Sequence, residues 1–163
     1  MEALLFWTFA VIAVTGGLGV IIAKNPVNGA MALVGALFAL AGLFLLLEAQ
    51  LVAALQVLVY AGAIMVLFLF VLMLLNLSPK DLGAPRFGPG KAVGVLAAVG
   101  TVVSLAKVVG HLDPHRMGTS ADFGTVAGVG RVLYTAYTLP FEVVSLLLLT
   151  AIVAAVVVAK GKI

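Results

Sequence analysis

The longest uncharged apolar run of the chain, from residue 51 to residue 75, restricts the possible folds more than any other feature. It is LVAALQVLVYAGAIMVLFLFVLMLL. A helix needs roughly 20 mostly apolar residues to cross the hydrocarbon core of a bilayer, which is about 30 Å thick. A β-barrel strand needs only about 10 residues of alternating polarity, and this run does not alternate. The run therefore predicts a membrane-spanning helix.

The composition excludes a water-soluble globule. Hydrophobic residues make up 64% of the 163 residues and charged residues only 9%, whereas soluble domains average about 45–50% and about 25%. The net charge of +3 gives no indication of nucleic-acid binding. The absence of cysteine excludes disulfides and a cysteine-ligated iron–sulfur cluster within this chain.

Five apolar runs predict an all-α integral membrane protein that forms a single membrane domain. The first begins MEALLFWTF, with an acid and no base before it, so we expect a retained helix rather than a cleaved signal peptide. Residues 125–137 are expected to form a short surface helix, and 76–91 a loop with three prolines. The spans cover residues 3–23, 27–47, 51–75, 92–110 and 140–159.

The basic residues predict the orientation, because cytoplasmic loops carry an excess of lysine and arginine. Five spans place six basic residues on one side and three on the other. We therefore expect the amino terminus outside and the carboxyl terminus inside. The inner set is Lys24, Lys80, Arg86, Lys91, Lys160 and Lys162, and the outer set is Lys107, Arg116 and Arg131.

Small residues four apart predict close approach between helices. The second span carries Ala32 with Ala36 and Gly35 with Ala39, and the fourth carries Gly94 with Ala98. The alternative is chance, since the chain has 18 glycines.

The third span carries two polar residues on one helical face, Gln56 and Tyr60. Tyr60 lies about 14 Å into the span, deeper than the interfacial belts that tyrosine usually occupies. It is either packed and bonded to a neighbouring helix or part of a water or proton path. Gly62 weakens the helix by about 1 kcal/mol relative to alanine. Periodicity leaves open whether this long span tilts or contains a π-bulge.

Carboxylates and amides at the membrane edge are a second candidate polar group. Glu48 and Gln50 lie between the second and third spans, and Gln56 near the start of the third is grouped with them. Glu142 follows Pro140 at the start of the fifth. Membrane acids can serve proton relays. The alternatives are a solvated turn for Glu48 and a helix-start acid for Glu142.

Two further patterns do not predict chemistry. His111, Asp113 and His115 surround Pro114, which prevents the histidines from sharing a regular helical face. The segment RFGPGK ending at Lys91 lacks the serine or threonine of a phosphate-binding loop. We predict no catalytic centre and no metal site in this chain.

The segment QVLVYAGAIMVLFLFV, residues 56–71, resembles the third helix of the subunit J, or chain-6 type, membrane subunits of bacterial NADH–quinone oxidoreductase, respiratory complex I. KNPV from Lys24 resembles the first loop of that family. LYT from Leu133 and LPFE from Leu139 resemble the approach to its last helix. The resemblance covers nearly the whole chain.

The resemblance implies a coupling role in proton translocation. The family's third helix carries a π-bulge that switches to regular helix and makes or breaks a water path. That path links the quinone region with the proton channels. Here the bulge falls around Tyr60, Gly62, Ala63, Met65 and Phe68. Tyr60 would supply a hydroxyl, Gly62 would ease the change, and Met65 and Phe68 would block or open the path.

The resemblance also implies partners, cofactors and location. The partners are the quinone-site subunit, a small three-helix subunit and antiporter-like subunits of a bacterial inner membrane complex. NADH, FMN, iron–sulfur clusters and quinone would bind elsewhere in that complex, and none to this chain. The family has an acid six residues before Gln56, where this sequence has Gln50, so proton handling at that edge is not implied. The alternatives are a purely structural subunit and a small independent transporter or channel.

Overall fold

The computed structural model describes residues 1–75, 89–110 and 122–161. Within these ranges the chain is helical and has no strand. The expected loop over 76–88, the cluster of His111, Asp113 and His115, and the tail at Lys162 lie outside the described residues.

The first two helices form a tightly packed antiparallel pair. Helix α1 covers Glu2–Ile22 and α2 covers Pro26–Leu46. The Asn25 side chain caps α2 by accepting a hydrogen bond from the Val27 amide at 2.9 Å, and Pro26 occupies the first helical position. Both features favour a helix start, so the turn lies where the sequence predicts it.

Small residues allow the α1–α2 approach. A Cβ atom on Gly16 would lie 2.9 Å from the Cβ of Ala36, and one on Gly19 would lie 3.1 Å from the Cβ of Ala32. The predicted packing role of Ala32 and Ala36 is therefore confirmed. Gly35 and Gly94 have nothing within 4 Å of an added Cβ, so neither glycine makes a close approach within the described chain, whereas Ala39, the partner of Gly35 in that spacing, is buried.

A left-handed turn joins α2 to the third helix. Glu48 has φ of 58°, in a region that non-glycine residues rarely adopt. The Glu48 amide donates to the Leu45 carbonyl and the Ala49 amide to the Phe44 carbonyl, both at 3.0 Å. These two bonds form a Schellman motif, in which glycine usually takes the left-handed position.

The remaining helices follow in chain order. Helix α3 covers Gln50–Leu75 and is 26 residues long. Helix α4 covers Pro89–Gly110, so the part of the expected loop from Pro89 to Lys91 is helical. Helix α5 covers Val126–Thr135, which confirms the predicted surface helix. Helix α6 covers Thr138–Lys160 and begins two residues before the predicted span.

Four of these helices, α1, α2, α3 and α6, are long and apolar enough to cross a membrane. The described apolar part of α4, Val93–Val108, is shorter. The small core of the described chain lies where α2 meets α1 and α3. Among the described residues, α4 contacts no other helix and α6 contacts only α5.

Candidate functional site

The centre of α3 is a π-helix. The segment Gln56–Ile64 has this geometry, between α-helical parts at Gln50–Leu55 and Met65–Leu75. The Met65 amide donates to the carbonyl of Tyr60, five residues earlier, whereas an α-helix would pair it with Ala61. π-Helical turns are rare and occur frequently at functional sites. We call Gln56–Ile64 the π segment.

The π segment changes which side chains of α3 are buried. The buried residues are Ala53, Gln56, Ala61 and Met65, so the interval from Gln56 to Ala61 is five residues. Each residue of an α-helix advances by about 100°. In a regular helix with the same amino-terminal part, Tyr60 and Ile64 would take the directions that Ala61 and Met65 now have.

Gly62 fits the π geometry because it has no side chain. A Cβ atom at this position would lie 3.2 Å from the carbonyl oxygen of Val57, five residues earlier. That separation is tighter than most real Cβ contacts, so a larger residue would require the backbone to shift. The sequence singled out Gly62 because glycine weakens a helix. The structure adds a second effect of glycine, which is that the lack of a Cβ at this position leaves room for the Val57 carbonyl oxygen.

The structure separates the predicted gating residues into two groups. Tyr60, Gly62 and Ala63 lie within the π segment, and the Tyr60 side chain is 52% exposed. Met65 and Phe68 lie beyond it, in the α-helical continuation. Met65 is 4% exposed and Phe68 is 45% exposed, so these two bulky side chains point in different directions.

Gln56 is the buried polar residue among the described side chains, with 8% exposure. It occupies the first position of the π segment. Buried amides in membrane helices commonly bond across to neighbouring helices or to water. The sequence grouped Gln56 with the membrane-edge residues, and the structure places it instead at the π segment.

The remaining edge residues do not join the π segment. Glu48 and Gln50 are exposed at the turn before and at the start of α3. Glu142 is exposed in the second turn of α6, which does not contact α3 within the described residues. The described ranges also hold no group of three histidine, cysteine, aspartate or glutamate residues arranged to bind a metal ion.

Sequence analysis missed the contact between α3 and the turn before α5. The Gly124 carbonyl accepts a hydrogen bond from the Leu51 amide at 3.0 Å. Beside this contact lies a cavity of about 720 Å³ with an apolar wall that includes Val52, Phe123 and Val132. Asp122 and Arg131 also line it and form an exposed ion pair at 3.6 Å. The sequence signal for this turn was Thr125, because threonine commonly caps the amino end of a helix and a helical pattern follows it.

Helix α5 connects to α6 through a tight corner. The rings of Tyr134 and Phe141 meet edge to face with centroids 5.0 Å apart. The Thr138 hydroxyl donates to the Tyr134 carbonyl at 3.0 Å. The LYT and LPFE segments therefore build a corner between a surface helix and a long apolar helix.

Comparison with known proteins identifies the family. The family model described as NADH-ubiquinone/plastoquinone oxidoreductase chain 6 matches residues 16–158. The chain belongs to this family. The matched region of the chain-6 family includes α2, α3 and the π segment.

Several curated chain-6 relatives match nearly the whole chain. NADH-quinone oxidoreductase subunit J of Escherichia coli K12 is 37% identical and covers 92% of this chain and 82% of its own. F(420)H(2) dehydrogenase subunit J of Methanosarcina mazei is 35% identical, over 99% of this chain and 93% of its own. NAD(P)H-quinone oxidoreductase chain 6 of Nostoc is 34% identical, over 98% and 80%.

Family membership and the helices agree on the type of protein. The chain is a multi-pass membrane protein with the sequence of a chain-6 subunit of an oxidoreductase complex. The resemblance drawn from residues 56–71 is confirmed by the family match.

Proposed function

We propose that this chain is a membrane-arm subunit of a proton-translocating NADH:quinone oxidoreductase, and that the π segment gates a water path coupling quinone reduction to proton pumping. The observation that carries the proposal is the bond from the Met65 amide to the Tyr60 carbonyl. It supports a helix with two registers that differ by one residue.

The two registers differ in the polarity of one face. In the π register, Ala61 and Met65 are buried on the side of Gln56. In a regular helix, Tyr60 would take the place of Ala61, one turn from Gln56 and on the same face. The change therefore replaces a methyl group with a phenol hydroxyl beside the buried amide, and moves the Met65 side chain away. Together, Gln56 and Tyr60 provide polar groups along which water can enter an otherwise apolar region.

We also infer five membrane spans, with the amino terminus outside. The Gly124 carbonyl lies at the amino end of α3, and α3 extends for 26 residues, roughly 39 Å. The chain must therefore return from the end of α3 to its beginning between Leu75 and Gly124. Helix α4, at 22 residues and about 33 Å, has a suitable length for this crossing.

Partner subunits would cover α4 and α6. Most described side chains of these helices are exposed and apolar, as expected for helices that face lipid or other membrane subunits. We assign this cover to the quinone-site, small three-helix and antiporter-like subunits of a complex in the bacterial inner membrane, together with lipid.

The electron-transfer chemistry would belong to other subunits. The relatives' names carry different electron donors, F(420)H(2) in one and NADH or NAD(P)H in the others, yet these relatives match this chain at similar identity. This supports a role in a step that does not depend on the donor. NADH, FMN, iron–sulfur clusters and quinone would then bind elsewhere in the complex, with no cofactor on this chain.

The test compares Gly62→Leu with Gly35→Leu in the assembled complex. Both replace a glycine within a membrane helix, but only a side chain at Gly62 would meet the Val57 carbonyl. We expect Gly62→Leu to lower the number of protons pumped per NADH while assembly is retained, and Gly35→Leu to preserve that ratio. Proton uptake by inverted membrane vesicles, measured together with NADH oxidation, reports both quantities. A normal ratio in Gly62→Leu would support a purely structural subunit. Ion flux through the purified chain alone in liposomes would support an independent transporter.

A further inference from the structure

The turn formed by residues 122–124 fixes the amino end of α3. The Leu51 amide is one of the first four helical N–H groups, which have no partner within their own helix. It donates to the Gly124 carbonyl at 3.0 Å. A surface turn from a distant part of the sequence thus supplies a backbone acceptor at the start of the helix that contains the π segment.

Only glycine fits at position 124. Its backbone φ is 69°, a value that residues other than glycine rarely adopt. An added Cβ would overlap the Glu48 carbonyl oxygen and lie 2.8 Å from the Cα of Ala49. Both obstacles are backbone atoms, which cannot rotate away as a flexible side chain could. The contact therefore depends on the absence of a side chain at this position.

Internal hydrogen bonds stabilise the turn. The Thr125 hydroxyl donates to the Asp122 carbonyl at 2.8 Å and accepts from the Gly128 amide at 3.0 Å. A Cβ on Gly128 would overlap the Asp122 carbonyl oxygen. The ion pair between Arg131 and Asp122 adds a further link to α5. Through the corner between α5 and α6, the turn is also connected to the last long helix.

The carboxyl-terminal part of α3 is held less firmly. Outside α3 itself, Met65–Leu75 contacts only α2 among the described residues, and Met65 is its buried residue. The amino-terminal part, Gln50–Leu55, contacts both α2 and α5. A one-residue change of register must rotate one part relative to the other, so the less constrained part should turn.

We propose that Gly124 is a positioning residue for the gate. It holds the amino-terminal part of α3 still, so that loss of the π register rotates only Met65–Leu75, by about 100°. The inference rests on the proposed function, because it describes which part of α3 rotates when the helix changes between the same two registers. Without the contact, either part of α3 could turn and the exchange of Ala61 for Tyr60 beside Gln56 would no longer be assured.

The first test needs no substitution. Electron cryo-microscopy of the complex, at rest and during turnover, would show the directions of the side chains on both sides of the π segment. Ala53 and Gln56 report the amino-terminal side, and Met65 and Phe68 report the carboxyl-terminal side. We expect the first pair to remain fixed and the second to rotate. Rotation of the first pair with the second fixed would overturn the positioning role and leave the gate intact. An unchanged helix in both states would overturn the gate itself.

The second test compares Gly124→Ala with Gly130→Ala. Gly130 lies in the adjoining helix, where an added Cβ meets nothing within 4 Å. We expect Gly124→Ala to lower the number of protons pumped per NADH and to allow the amino-terminal part of α3 to rotate. Gly130→Ala should match the original chain in both respects. Equal ratios and equal rotation in the two variants would refute the positioning role. Should Gly124→Ala fail to assemble, the two-state comparison of the original complex still decides the question.

Discussion

The Cα atom of Gly16 faces Ala36 so closely that a Cβ atom placed on it would lie 2.9 Å from the Cβ of Ala36 and 3.0 Å from the carbonyl oxygen of Ala32. The neighbouring Gly17 has nothing within 4 Å of an added Cβ. The two adjacent glycines therefore form a matched pair for testing how much of the α1–α2 contact depends on backbone approach.

We expect Gly16→Ala to destabilise the α1–α2 pair by about 1–3 kcal/mol, because the added methyl group overpacks a tight contact. Gly17→Ala should be neutral or stabilising by up to about 1 kcal/mol, since alanine favours helix. Hydrogen exchange of the α1 and α2 amides in the intact complex reports the local free energy of opening. Equal exchange in the two variants would contradict a close backbone approach.

Glu48 provides a test of backbone strain at the α2–α3 turn. Replacing it with glycine should stabilise the turn by about 1 kcal/mol, because a left-handed conformation costs an L-residue roughly that amount. Glu48→Ala keeps the strain and should change little. Hydrogen exchange of the Glu48 and Ala49 amides, which make the two Schellman bonds, would measure both effects. Similar stabilisation by both variants would indicate that the side chain, and not the backbone, is responsible.

Thr125 provides a test of the start of α5. Its hydroxyl accepts from the Gly128 amide at 3.0 Å, so Thr125→Ala should cost about 1 kcal/mol of α5 stability. Thr125→Ser retains the hydroxyl and should preserve most of it. Limited proteolysis of the complex within residues 122–135 would compare the two variants. Faster cleavage of the serine variant than of the alanine variant would be inconsistent with the cap.

The proposed topology can be tested with single cysteines, because the chain contains none. Val126→Cys should react with a membrane-impermeant maleimide added from outside. Val126 is exposed at the start of α5, and the proposed topology places the turn before α5 outside the membrane. Lys24→Cys and Lys160→Cys should react only after the membrane is opened. Labelling of this chain would be followed by mass spectrometry of its peptides. Reaction of Val126→Cys and Lys160→Cys from the same side would exclude a final crossing by α6.

Local patterns in the sequence predicted much of the helical architecture. The break between the first two apolar runs at Asn25 and Pro26 predicted the turn between α1 and α2, and the spacing of Ala32 and Ala36 predicted close packing against another helix. The length of the run from residue 51 to residue 75 predicted α3. These features depend on neighbours within one or two helical turns, which a single sequence displays directly.

The π segment and the turn at Gly124 were harder to predict from residue patterns. Almost every side chain of α3 is apolar, so no periodicity distinguishes a π from an α register, and only the family resemblance located the bulge near Tyr60. The bond from Leu51 to Gly124 joins residues far apart in sequence, and nothing near either residue encodes it. The turn expected at Glu48 as one alternative is present and Glu48 is exposed there, but its positive φ follows from the bond pattern around it and not from its residue type.

The lack of contacts between α4, α6 and the first three helices has a consequence for biogenesis. A newly inserted copy would present two apolar helices, α4 and α6, that α1, α2 and α3 leave uncovered within the described structure. Such a copy is a ready target for the proteases that remove unassembled membrane subunits. The cellular abundance of this chain should therefore follow that of its neighbours, and synthesis in excess of them should produce degradation rather than a free pool.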